Sequence, residues 1–183
     1  MIAYIICEGI DDKQLLKAVL PEISLNQVEI VVGGGISSVK SIARSLVVRR
    51  QTPVAIVVDS DSTVPELVQM RIRETTEIIE SVSVNTPVKV MLFVPELEAI
   101  FFQDLQLLSK LLGYAPSQDE LSLAASRPRK VLAQLLAKSD KVRNRSEIIN
   151  QLAEENINNL RDFPTIQEPV SYTHLTLPTN REV

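Results

Sequence analysis

The run Val54-Ala55-Ile56-Val57-Val58-Asp59-Ser60-Asp61 decides the fold. Pro53 opens it, five apolar residues follow without a polar break, and Asp59-Ser60-Asp61-Ser62 ends it. A strand that is apolar on both faces belongs in a parallel sheet covered on both sides, whereas a strand with one wet face alternates. Nearly continuous apolar runs recur at Ile2–Cys7, Val28–Val32 and Val88–Val94. Between these runs apolar residues return at helical spacing: Leu15, Leu16, Val19 and Leu20, then Val39, Ile42, Ala43, Leu46 and Val47. A third helix is expected from Pro65 to about Ser83, with Leu67, Val68, Ile72, Ile78, Ile79 and Val82 inward. Asp11 or Asp12, and Ser37 or Ser38, offer N-caps. Strands alternating with helices predict an α/β fold, a mainly parallel four-stranded sheet between helices.

Beyond Pro95, the residues Leu97, Phe101, Leu105, Leu108 and Leu112 keep helical spacing until Gly113 stops them. Pro116 to Pro128 reads as a polar connection with room for a short helix, and Val131–Leu136 and Ile148–Ala153 mark two more helices. The expected organisation is an α/β domain over 1–115, a helical extension packed on it over 116–169, and a non-native tail over 170–183. That tail contains Val170-Ser171-Tyr172-Thr173-His174-Leu175, which breaks the helical pattern and resembles a translated sequencing-library adapter. On this reading the native C-terminus is missing and His174, the sole histidine, is not native.

Composition excludes several classes. At about 150 residues per domain, 183 residues suit one compact unit, and 45% hydrophobic content supplies its core. The balance of 19 basic against 23 acidic residues argues against a polycationic nucleic-acid binder, although a local basic patch can still hold a phosphate backbone. One cysteine, Cys7, excludes a disulfide framework or a cysteine-rich zinc site and suits a reducing cytoplasm. The apolar runs fall well short of the ~18 residues of a membrane span, and the N-terminus lacks the basic region of a signal peptide.

Ligands of open α/β sheets lie beyond the carboxyl ends of the strands. Glu8 follows the first strand with Asp12 four residues on, Asp59 and Asp61 follow the third, and Glu96 and Glu98 follow the fourth. Clustered carboxylates repel unless protons or cations offset their charge. All-oxygen donors favour Mg²⁺ or Mn²⁺ over zinc. Each acid also has a plainer use: Glu8 as a solvated residue at a strand–helix turn, Asp12, Asp59 and Asp61 as caps and turn formers, Glu96 and Glu98 as favourable charges in a first helical turn. The Gly33-Gly34-Gly35 run permits a tight turn or the approach of backbone amides to a phosphate.

Glu8-Gly9-x-x-Asp12 after one apolar strand, with Asp59-x-Asp61 after another, resembles the Rossmann-like TOPRIM domain of topoisomerases, primases, small ribonucleases and overcoming-lysogenization-defect (OLD) nucleases. The resemblance covers roughly Ile2 to Phe102. The glycine turn and Pro95-Glu96-Leu97-Glu98 look most like the OLD branch and its stand-alone relatives. It implies a Mg²⁺- or Mn²⁺-dependent nuclease acting on DNA or RNA, in phage defence or nucleic-acid processing. Glu8 would be a metal ligand and general acid/base, Asp12, Asp59 and Asp61 further ligands, and Glu98 a ligand of a second ion. Lys130 would stabilise charge on the scissile phosphate, with Gly33, Gly34 and Gly35 near the phosphate. OLD proteins join such a domain to an ATPase. The chain carries no Walker loop, so it is expected to act alone or with a separate ATPase subunit.

Arg127, Arg129, Lys130, Lys138, Lys141, Arg143 and Arg145 face a single acid, Asp140, within their stretch. They read as a phosphate-backbone contact surface or as an ordinary solvated helical face. Two other functions stay open: a non-catalytic binding module that keeps the fold, and a receiver-like protein or phosphohydrolase using Asp59 as a phosphate acceptor. A topoisomerase or a primase is disfavoured, because a strand-passage domain, a suitable tyrosine and a template-binding module are missing.

Overall fold

The computed structural model describes residues 3–20, 26–83, 85–152 and 154–161. The sheet consists of β1 (Ala3–Cys7), β2 (Val28–Val32), β3 (Val54–Asp59) and β4 (Val88–Phe93), in the order β2-β1-β3-β4. All three pairings are parallel. Helices α1 (Ile10–Val19), α2 (Ile36–Arg49) and α3 (Pro65–Glu80) make the crossovers. A 3₁₀ helix (Leu97–Phe102) follows β4, and then come α4 (Leu105–Leu112), α5 (Gln118–Ala124), α6 (Pro128–Lys138), α7 (Arg145–Asn150) and α8 (Glu154–Arg161).

The continuous apolar runs are explained by burial on both faces. Tyr4, Ile6, Val54, Ile56 and Val58 point to one side, where Val39, Ala43 and Val47 of α2 and Ile79 of α3 cover them. Ile5, Cys7, Ala55 and Val57 point to the other, against Leu15, Leu16 and Val19 of α1. Residues two apart share a face of a strand, so every second residue serves a different core. Each fully buried Ile or Val contributes about 1.5–3 kcal/mol relative to exposure. The core on the α1 side also takes in Leu97, Leu108, Val131, Leu132, Leu135 and Ile148, so the helices after β4 share one apolar cluster with the sheet.

Several elements differ from expectation in their ends or faces. The single helix expected from Leu97 to Leu112 is two, because the Asp104 carboxylate accepts the Leu107 N–H at 2.9 Å and caps a new start. Gly113 ends α4 at φ +84°, as its position suggests. On α3 the inward residues are Val68, Thr75 and Ile79, while Leu67 and Ile78 are 47% and 41% exposed. Of the expected inward residues, Val68 and Ile79 are buried and Ile72 and Val82 pack against the core, so the stripe is narrower than expected, and the helix ends at Glu80 rather than Ser83. Gly9 and Gly35, not Asp11, Asp12, Ser37 or Ser38, occupy the N-cap positions of α1 and α2. Among the helices past Gly113, α5 carries a capping box in which Ser117 and Glu120 satisfy each other's backbone N–H groups. The segment from Val170 to Val183 lies outside the described residues. Among the described residues, no helix is long and apolar enough to cross a membrane.

Candidate active site at the carboxyl edge of the sheet

The strand register sets the site. Cys7 lies beside Val32 and Val57, and Asp59 beside Phe93, so all four strands end at one edge. The turns beyond them are laced together by the backbone. Gly33 N–H donates to the Cys7 carbonyl at 2.8 Å, Gly34 N–H to Glu8 at 2.9 Å, and Asp61 N–H to Pro95 at 2.9 Å.

A cleft of about 350 Å³ opens there, lined by Glu8, Gly9, Asp12, Gly34, Gly35, Asp59, Asp61, Arg129 and Arg145. Four of the five expected ligands therefore meet. The fifth, Glu98, is fully buried behind the cleft, and one of its carboxylate oxygens accepts from Arg129 Nε at 3.2 Å and from Arg145. Among the described residues, its other oxygen has no hydrogen-bond partner. Glu96 accepts the Arg129 backbone N–H at 2.9 Å, which ties the first turn of α6 to the β4 edge.

The individual carboxylates are held by different means. Asp12 accepts the Gly9 N–H at 2.7 Å. Asp61, left-handed at φ +53°, pairs with Arg71 at 2.9 Å, and the same Arg71 nitrogen donates to the Ser60 carbonyl at 2.7 Å. Asp59 accepts the Leu97 N–H at 2.8 Å on one oxygen and Arg129 on the other. Burial pushes the Asp59 carboxyl up to about 7, and Glu98 and Asp12 push the same way against the Leu97 N–H and Arg129. Burial acts against the Arg129 charge, yet Glu98, Asp59 and Glu96 hold its pKa above the ordinary arginine value. Burial likewise pushes the Cys7 thiol up to about 12, so it stays protonated within the core.

The basic residues divide. Arg129 and Arg145 enter the cleft, the latter also pairing with Asp11 at 2.6 Å. Lys130, the expected phosphate contact, is exposed and does not line the cleft, since adjacent helical residues point about 100° apart. Lys138 pairs with Glu120 at 2.7 Å, and the Lys141 amine donates to the Lys110 carbonyl at 3.3 Å. Arg127 and Arg143 are exposed. The seven cations are therefore not one open surface. Of the glycines, Gly34 and Gly35 line the cleft and Gly33 does not; the Gly33 and Gly34 amides are used within the turn and are not free for a phosphate. Sequence reasoning missed Asp11 and Arg71 as partners. Arg71 was findable in principle, two turns into the helix that follows Asp61.

In donor type the acids of the cleft fit a hard divalent cation, because Glu8, Asp12, Asp59 and Asp61 offer only carboxylate oxygen. The carboxylates are not gathered around such an ion: among the described residues, no group of three or more His, Cys, Asp or Glu is arranged to hold one. Instead, Asp59 is engaged by Arg129, Asp12 by the Gly9 N–H and Asp61 by Arg71.

The chain superposes on a solved structure of the C-terminal region of the Burkholderia pseudomallei OLD protein, with a TM-score of 0.57 over 96% of this chain and 98% of that one. The two share a fold. Sequence identity between them is 14%, so the OLD-like likeness is one of architecture. The C-terminal region of the Xanthomonas campestris pv. campestris OLD protein also matches, at a TM-score of 0.47 and 16% identity over 94% of this chain and 97% of that one. No protein-family profile matches the sequence, and no curated protein matches it either.

Proposed function

We propose that this OLD-like chain is a nuclease that hydrolyses phosphodiester bonds of DNA or RNA with Mg²⁺ or Mn²⁺. The observation that carries the reading is the convergence of Glu8, Asp12, Asp59 and Asp61 with Arg129 and Arg145 on one cleft. A bound divalent ion would supply Lewis-acid activation of water and of the phosphoryl oxygens. Glu8, Asp59 and Asp61 would hold it, with Asp12 completing the set. Arg129, released from Asp59, would meet the phosphate as a fork of parallel donors, in the role expected of Lys130. Glu8, placed directly at the end of β1, would take the proton of the attacking water. Glu98 would anchor both arginines from behind.

The test is nicking of supercoiled plasmid and cleavage of labelled RNA in Mg²⁺, Mn²⁺ and EDTA, with Glu8→Gln and Asp59→Asn alongside. Cleavage that needs metal and is lost in both variants supports the reading. Cleavage that survives both variants would sink it.

A second reading, a binding module without catalysis, is favoured by the engagement of Asp59 and Glu98 with arginine. It predicts no Mn²⁺ uptake in calorimetry and substrate binding that persists in both variants. A partner ATPase and a part in phage defence belong to the nuclease reading as proposals, and co-purification from the native host tests the former.

A further inference from the structure

We propose that the exposed face of α2, with the groove it forms against α3, is a track for the phosphate backbone of a single nucleic-acid strand leading into the Glu8–Asp59 cleft. The direction of the track rests on the nuclease reading; the binding itself does not.

The cleft needs such a surface. Its walls carry four carboxylates against two arginines, so it repels a polyanion, and the arginines are already paired. Affinity for a strand must come from cations outside the cleft; Lys138 and Lys141 are engaged, which leaves Arg127, Lys130 and Arg143 as scattered exposed cations on that side. On α2, residues three and four apart fall on one face. Val39, Ala43 and Val47 form its buried side. Ser37, Lys40, Ser41, Arg44, Ser45 and Arg49 form the side that lines a groove of about 550 Å³, closed by Ile78 and Val82 of the α3 side. Among the described residues, no carboxylate lines this groove. Among the described residues, Lys40, Arg44 and Arg49 make no ion pair and the three serine hydroxyls make no hydrogen bond.

Unpaired cations interleaved with hydroxyls are complementary to phosphate oxygens, which accept from both. Lys40 and Arg44, about 6 Å apart along the helix axis, share one face, a step comparable with that between successive phosphates of one strand; Arg49, five residues on and about 140° around the helix, meets the groove from its other side. Val48 and Ile78, 53% and 41% exposed, offer apolar surface to the bases. The stripe also ends in the right place. Ser37 lies two residues from Gly35, which lines the acidic cleft, so a strand laid along α2 runs into the candidate active site.

The test measures binding of fluorescein-labelled single-stranded DNA and RNA to the full chain by anisotropy, in EDTA so that nothing is cleaved. The triple variant Lys40→Ala/Arg44→Ala/Arg49→Ala should bind at least tenfold more weakly. Its slope of log affinity against log salt should be shallower by about 2, at ~0.7 for each phosphate no longer neutralised. Lys17→Ala on α1 should change neither, and matched melting temperatures should show that all variants fold. DNA and RNA arms distinguish the two backbones. Unchanged affinity and slope in the triple variant would overturn the track, as would a wild type that binds no strand. Polyglutamate displacing the strand from wild type with equal potency would assign the groove to an acidic protein partner and likewise overturn it. None of these outcomes bears on the metal-dependent cleavage assay, so the two ideas fail separately.

Discussion

Arg129 and Asp59 meet although seventy positions of chain separate them, the guanidinium donating to one carboxylate oxygen while Leu97 N–H holds the other. This pair places a tethered cation where a divalent ion would act. Arg129→Gln should therefore tighten Mn²⁺ binding at pH 8 by about fivefold, the upper scale of an exposed ion pair at ~1 kcal/mol, and lower cleavage. Calorimetry with Mn²⁺ reads the first effect; weaker binding than wild type would show that Arg129 is no competitor for the ion.

Glu98 gives a prediction about stability. It is fully buried, and its only charged partners among the described residues are Arg129 and Arg145. Removing both by Arg129→Ala/Arg145→Ala leaves an unpaired buried carboxylate, and should cost about 3–5 kcal/mol in urea unfolding. Adding Glu98→Gln should recover most of that loss. A triple variant no more stable than the double would mean that the arginines act through packing instead.

The pH dependence of the metal-free protein follows from Asp59. Its folded value of about 7 stands above the ordinary carboxylate value of 3.8, so the folded state binds the extra proton. The resulting stabilisation is complete below the unfolded value and is lost as pH rises through about 7. Between pH 5 and 7, in EDTA, wild type should lose stability relative to Asp59→Asn at up to about 1.4 kcal/mol per pH unit. Above pH 8 the difference should level off. Parallel stability curves for the two proteins across this window would contradict the burial argument.

The glycine turn is a steric prediction. A Cβ at Gly33 would sit 2.5 Å from Val39 Cγ2 and 3.1 Å from the Val39 backbone, whereas one at Gly34 meets nothing within 4 Å. Gly33→Ala should therefore push α2 from the sheet at about 1–3 kcal/mol, as overpacking does. Gly34→Ala should cost about 1 kcal/mol for its left-handed backbone alone. Thermal unfolding of both variants checks the order, and the reverse order would rule out the clash.

Much of the architecture was legible because its cause is local. Ala3–Cys7 and Val54–Val58, the two inner strands, are apolar without alternation, and burial of the sheet on both faces explains that, while the outer strands carry Glu29 and Lys89 and are less buried. The meeting of Glu8, Asp59 and Asp61 at the strand ends, with Asp12 in the first turn of α1, followed from the same reading, since a parallel sheet delivers all its carboxyl ends to one edge. Element ends were less legible. Leu97 to Leu112 keeps helical periodicity throughout, yet Asp104 breaks it by taking a backbone N–H for its own side chain.

The sequence by itself determined the class of fold, the sheet edge that carries the acids and the oxygen-only character of the candidate site. These depend on patterns of two to four residues, which backbone geometry converts into faces and ends. Tertiary structure alone decided which cations enter the cleft. Arg129 and Lys130 are neighbours of equal charge, and only the docking of α6 against the 3₁₀ helix turns the first toward Asp59 and Glu98 and leaves the second in solvent. Ion pairing between residues tens of positions apart depends on how helices pack, and no local periodicity encodes it.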